Sequence, residues 1–193
     1  MLRKFIENDI PFLVEISNQC FGKNYLTSNY FRLIQTSTTL NCWVKISDNY
    51  LVGFIVIERI TDQNLNTYFH DENGWVNEFL VIQNAGGTIL IKQVDVHPNF
   101  QNKGIATELI QAFLNTNKYE PVSYISVLWN RKQHNGLKNI LSKMNFTCIK
   151  QVDDFWQKDS LKKKYLCAEC KSIPCVCSAS IYFNQPSIES INK

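Results

Sequence analysis

The chain of 193 residues lacks what several common functions require. No apolar run approaches the ~20 residues of a bilayer span; the most apolar stretch, "YLVGFIVI" at 50–57, is far too short. The N-terminal "MLRKFIENDIPFLVEI" has no signal-peptide core, because Glu7, Asn8, Asp9 and Pro11 interrupt it. Charge of one sign is also missing. The net charge of +3 offers no general attraction for nucleic acid or a membrane surface, and Lys162-Lys163-Lys164 fits a solvated turn. There is no Gly-Lys-Ser/Thr of a phosphate-binding P-loop and no Gly-x-Gly-x-x-Gly after a first strand. Internal repeats and low-complexity segments are absent as well. The composition, 45% hydrophobic and 19% charged, suits one soluble domain with its own core. A cytoplasmic protein that engages neither membrane nor nucleic acid is expected.

Apolar periodicity places the elements. "LRKFIE" reads as a short strand. Asn8-Asp9 start a helix from about Pro11 to Cys20, and a second helix runs around Asn29–Gln35. "CWVKIS", the Asp48-Asn49 turn and "YLVGFIVIERI" read as a β-hairpin. Residues 61–74 look like a polar loop, and "WVNEFLVI" at 75–82 fits either strand or helical turn. "TILIKQVDV" is a strand, followed by a helix from about Ile105 to Asn115 with Ile105, Leu109, Ile110 and Phe113 on one stripe. "VSYISVLW" after Pro121 is a strand, 136–144 a helix, and "FTCIKQV" and "SASIYFN" are the last two strands.

The stretch "VDVHPNFQNKGIATELIQAFL" at 94–114 carries the chemistry. A strand ends in Val-His-Pro, then Gln101-x-x-Gly104-x-Ala106 opens an amphipathic helix. The first helical N–H groups have no partner within the helix and carry the positive end of its dipole. Small residues there let a pyrophosphate rest on the backbone, and Lys103 adds positive charge. This pattern resembles the acetyl-CoA-binding motif of the GNAT N-acetyltransferase superfamily, and the order of elements resembles that family over roughly residues 2–184.

The resemblance implies an α/β (α+β) fold. Its centre would be a mixed, mostly antiparallel sheet of about six to seven strands, flanked by about four helices. It implies one domain over 1–184, with insertions at 61–87 and 152–177 and a loose tail at 185–193. It implies that Gln101, Asn102, Lys103, Gly104, Ile105 and Ala106 hold the pyrophosphate of acetyl-CoA. The backbone of Val94, Asp95 and Val96 would pair with the pantetheine arm and stabilise the oxyanion. Asn130, or Asn135 further along a long junction, is expected to make another coenzyme contact. The acceptor would be a small-molecule or peptide amine, and the protein a monomer or homodimer.

An alkylammonium loses its proton only near pH 10.4, so a base is needed. The positions expected to share a face with Val94 and Val96 are Leu90 and Lys92, and neither suits a base. Asp95 is expected on the opposite face. Glu78 and Glu58 remain as carboxylates from neighbouring segments, and Tyr68, Phe69, Trp75 and Glu78 as lining of an acceptor pocket. The tyrosine that serves this family as acid falls at Leu141, judged from Phe146. Tyr124, Tyr165 or water could replace it. Without base and acid the chain would be a catalytically silent coenzyme-binding module, which is the alternative.

Seven cysteines divide into two groups. Cys20, Cys42 and Cys148 sit in apolar settings and are expected to be buried. Cys167, Cys170, Cys175 and Cys177 form Cys-x2-Cys-x4-Cys-x-Cys. Four thiolates make a closed tetrahedral set, so a structural Zn2+ site is expected between the last two strands. Two disulfides are the alternative, which a reducing compartment disfavours.

Overall fold

β-Branched and aromatic runs bounded by turn residues form seven strands in the computed structural model, which describes residues 1–61, 87–117, 120, 122–131 and 136–184. The strands are β1 (Leu2–Lys4), β2 (Leu40–Ser47), β3 (Tyr50–Ile60), β4 (Thr88–Val96), β5 (Ser123–Trp129), β6 (Thr147–Val152) and β7 (Ala179–Asn184). They make one sheet in the order β1-β2-β3-β4-β5-β7-β6. Only β4 and β5 run parallel; every other pair is antiparallel. Asp48 and Asn49 turn the β2–β3 hairpin with φ of 49° and 65°, the left-handed pair that matches strand twist.

The described residues contain five α-helices: α1 (Ile10–Phe21), α2 (Ser28–Thr36), α3 (Ile105–Thr116), α4 (Gly136–Lys143) and α5 (Gln157–Lys163). The sequence reading expected about four. The extra one, α5, is short and polar and gave no periodic signal. Asp9 precedes α1, but its carboxylate turns back to pair with Arg3 at 2.6 Å and to accept from the Ile6 N–H at 2.8 Å. Thr27 caps α2 by accepting from the Tyr30 N–H.

The two faces of the sheet carry separate apolar clusters. Ile10, Leu13 and Ile16 of α1 join Phe31 and Ile34 of α2 over Val44, Phe54 and Val56. Leu109, Ile110 and Phe113 of α3, with Leu141 of α4, cover Ile55, Ile89, Ile91 and Val96 on the other face. Cys20 and Cys42 are buried as expected, but Cys148 is exposed. It lies on β6, which is the sheet edge, so its apolar neighbours in sequence do not enclose it. No helix among the described residues is long and apolar enough to cross a membrane.

Candidate active site

The central parallel pair comes apart halfway. β4 and β5 are in register from Thr88–Ser123 to Ile91–Ser126, and no pairing follows. β5 continues against β7 through Trp129, while β4 continues against β3 through Val96. From Gln93 to Val96, the β4 edge that faces β5 therefore has no strand partner among the described residues.

A bulge prepares this edge. Val56 pairs with Gln93 and Ile57 with Ile91, so Lys92 is an extra residue in β4. It shifts the alternation by one. Ile89 and Ile91 share a face with Val94 and Val96 beneath α3, whereas Leu90 packs on the opposite side with Ile125 and Ile181. The expectation that Leu90 and Lys92 lie on the Val94 face is corrected: simple alternation does not count a bulge. The Lys92 ammonium pairs instead with Glu58 at 2.8 Å and lies over the Tyr30 ring. Glu58 is thus buried and tied to Lys92.

The loop after β4 is shaped by left-handed residues. Asn102 has φ of 62° and Gly104 has φ of 81°. Gly104 is the N-cap of α3, and a Cβ added there would meet nothing within 4 Å. The glycine is needed for its backbone conformation, and open space lies in front of it. The Gln101 amide donates to the Val96 carbonyl at 3.0 Å and ties the loop to the strand end. The Lys103 ammonium lies over the Phe100 ring.

A cavity of about 420 Å3 fills the gap between the strands, a volume typical of small-molecule sites. Val94, Asp95, Val96, Gln101, Asn102, Gly104, Ile105 and Ala106 all line it. Asp95 is 1% exposed. Its Oδ2 accepts from the Gln93 amide at 2.9 Å, and its Oδ1 has no partner. Burial lifts this carboxyl to about 7, against the opposing pull of the Gln93 hydrogen bond and the Arg131 charge.

The far wall is aromatic. Phe21 at the end of α1, Tyr25 in the loop after it, Trp129 at the end of β5 and Trp156 before α5 all line the cavity. Phe21 stacks on Tyr25 at 4.9 Å and on Trp129 at 5.1 Å. Burial pushes the Tyr25 phenol well above its usual range, so it stays protonated at neutral pH. Tyr25 was missed in the sequence, where one tyrosine in the polar loop "GKNYLTS" carries no periodic signal.

Two expected site residues are elsewhere. Tyr165 is 3% exposed, outside the cavity lining, and packs edge-on against Tyr25 at 5.0 Å. Burial drives its hydroxyl far up, and that hydroxyl has no partner. Asn130 donates to Ser178 Oγ at 3.1 Å and accepts from Ser180 Oγ at 2.8 Å, so it fastens β5 to β7. Arg131, the next residue, takes the cavity position. Tyr124 is also excluded as an acid, because it is buried in the core against Phe113. Glu78, Tyr68, Phe69, Trp75 and Asn135 lie outside the described residues.

Behind the aromatic wall, Cys167, Cys170, Cys175 and Cys177 converge, with all four sulfurs within 4.8 Å of one another. Cys167 and Cys177 are 3.7 Å apart, and Cys170 and Cys175 3.8 Å. A tetrahedral ion with metal–sulfur bonds of about 2.3 Å needs sulfurs about 3.8 Å apart. The Cys170 N–H points at the Cys167 sulfur at 3.5 Å, and Ser160 of α5 accepts from the Cys175 N–H at 2.8 Å. The loop docks on the end of α1. The Ala168 N–H caps the Phe21 carbonyl at 3.0 Å. Gly22, with φ of 116°, lies so close to Leu166 that an added Cβ would sit 2.1 Å from its carbonyl oxygen.

A parallel pair that splays beside a left-handed, glycine-capped helix start agrees with the class of protein, the acyltransferases, to which the resemblance in sequence points. The particular family follows. Residues 10–135 match the model of the acetyltransferase (GNAT) family, and the chain belongs to it. Solved structures with this fold include Arabidopsis thaliana NAA60 in complex with a bisubstrate analogue, at 15% identity and a TM-score of 0.68, over 97% of this chain and 99% of that one. The same protein in complex with acetyl-CoA matches at 14% identity and a TM-score of 0.67, over 96% of this chain and 97% of that one. Ard1 from Thermoplasma volcanium matches at 14% identity and a TM-score of 0.65, over 97% of each chain. At these identities the likeness is one of fold. A search against curated protein sequences found no match.

Proposed function

We propose that this chain is an acetyl-CoA-dependent N-acetyltransferase acting on a primary amine. The observation that carries the reading is the β4 edge from Gln93 to Val96, which faces β5 without pairing with it and opens onto a cavity lined by the Gly104 loop. Acetyl-CoA would lie with its pantetheine arm along Val94–Val96 and its pyrophosphate on the N–H groups of Gln101–Ala106. The aromatic side is left for the acceptor. Asp95 takes the proton from the ammonium, for which a carboxyl near 7 is well matched. The amine attacks the thioester carbonyl, and backbone N–H groups of the β4 edge stabilise the oxyanion. When the carbon–sulfur bond breaks, Tyr25 can give a proton to the thiolate and regain one from the nitrogen of the new amide, the role the resemblance gives to a tyrosine at the position of Leu141. Leu141 itself is fully buried. The silent-module alternative finds its support in that leucine; the Asp95 carboxyl in the cavity speaks for turnover.

The tetrad reads as a structural zinc site held by Cys167, Cys170, Cys175 and Cys177, in a reducing compartment such as the cytoplasm. Their sulfur spacing supports it. Four protein ligands leave no open coordination position, so a bound ion would stiffen the loop and take no part in acyl transfer.

Gly104→Glu tests the central reading. It places a side chain and a negative charge where the pyrophosphate would rest. Calorimetric titration with acetyl-CoA should show binding weakened by about 100-fold or more, since it combines lost charge-assisted hydrogen bonds with repulsion. Wild-type affinity in this variant would dismiss the proposed site.

A further inference from the structure

We infer that Trp129 is a positioning residue through which metal in the cysteine tetrad sets the acceptor wall of the cavity. The inference rests on reading the tetrad as a metal site. Trp129 ends β5 at the mouth of the splay and lines the cavity, yet it also belongs to the apolar cluster of Cys167, Cys175 and Cys177. Its indole N–H is buried and has no partner in hydrogen-bonding geometry. The acceptor beside it is the Cys177 sulfur. A thiol is a weak acceptor, whereas a metal-bound thiolate carries charge and accepts strongly. Metal binding therefore supplies the partner that the indole lacks.

What Trp129 holds extends the effect. The Arg131 guanidinium stacks on its ring at 4.2 Å and donates to the Cys20 carbonyl near the end of α1. The Arg131 Nε lies 4.0 Å from Glu169, which sits between Cys167 and Cys170. Phe21 stacks on the same indole, and Tyr25 stacks on Phe21. The tetrad, Trp129, Arg131, Phe21 and Tyr25 form one connected stack, so whatever fixes one end orders the other. Coupling of this kind is reciprocal: the wall must stabilise the metal as much as the metal stabilises the wall.

Trp129→Phe keeps an aromatic ring and removes the N–H. Zinc affinity, measured by competition with a chromophoric chelator, should fall about 10-fold or more, as for other groups that hydrogen-bond a metal ligand. In the Co2+-substituted protein the thiolate-to-cobalt absorption should shift relative to wild type, which loss of packing alone would not cause. A second measurement uses wild-type protein: zinc removal should raise acrylamide quenching of tryptophan emission. Measured in a Trp156→Phe background, because Trp156 lies against the same indole, that change should vanish in Trp129→Phe and survive in Trp43→Phe. Equal zinc affinity and an unshifted cobalt band in Trp129→Phe would overturn the inference while leaving the metal site standing. Quenching that ignores zinc in the wild type would do the same. A wild-type chain that binds neither zinc nor cobalt would overturn both.

Discussion

The loop side of the cavity is written in a single stretch from Val94 to Ala106, while the aromatic side is gathered from three: Phe21 with Tyr25, Trp129 with Arg131, and Trp156. The loop side works through backbone. It needs a strand edge, two left-handed residues and a helix start, and any chain that meets those demands presents the same N–H groups. The aromatic side works through side chains and depends on how α1, the end of β5 and the cysteine loop dock together. A generic coenzyme suits the first construction, and a particular acceptor suits the second. Substitutions on the two sides should therefore separate cleanly, coenzyme affinity on one and acceptor handling or stability on the other.

Asp95 should give the largest effect, because it belongs to the loop-side strand yet is the base proposed for the acceptor. Asp95→Asn is expected to lower the acetylation rate by about 100- to 10,000-fold while sparing acetyl-CoA affinity. The wild-type rate should fall as pH drops through about 7, where the carboxylate takes up its proton, and the variant should lack that inflection. Stability should move the other way. A carboxyl whose folded pKa is raised above its unfolded one contributes fully below the unfolded value, near pH 4, and that contribution is lost as pH rises through about 7. Asp95→Asn should therefore melt higher than wild type above pH 7 and show little advantage at pH 4. A flat wild-type profile across pH 5–8 in steady-state assays would exclude Asp95 as the base.

Gly22 tests the aromatic side next. Its φ of 116° and ψ of 159° suit glycine almost alone, and an added Cβ would collide with the Leu166 carbonyl. Gly22→Ala should cost about 2–4 kcal/mol of stability, read by denaturant titration. Acetyl-CoA binding by the folded fraction should persist. Loss of coenzyme binding in a variant that remains folded would break the separation of the two sides. The smallest effect is expected for Tyr25→Phe. A coenzyme A thiolate leaves readily without help, so kcat should fall about 10-fold or less. A fall of 1,000-fold would mean that Tyr25 does more than return a proton.

The same contrast explains what could be read from the residues in order. Strands and helices with strong periodicity, such as Tyr50–Ile60 and Ile105–Thr116, fall where the pattern puts them. The Gln101–Ala106 loop is legible because its residues are consecutive. The four cysteines are legible because their spacing is tight. Arg131 and Tyr25 were not, since each becomes part of the cavity only through docking of distant elements. Asn130 was a near miss: one residue earlier on the same strand end points into the β7 contact instead. Tyr165 has the right chemistry but sits under the aromatic wall rather than on it. The helix α5 escaped because Ser160, its buried residue, is polar and is buried to hold the Cys175 N–H.

The added residue at Lys92 acts as a parity bit. Every side chain after it on β4 has its inside and outside exchanged relative to an unbroken count from Thr88. A chain that kept Lys92 but straightened the bulge could form a strand with the same turns at each end, yet Asp95 would face the apolar layer beneath α3 and the valines would face the side where Asp95 now stands. The chemistry proposed for this cavity therefore hangs on the backbone absorbing one residue between Ile91 and Val94 without letting it count in the alternation, a property that no single side chain carries.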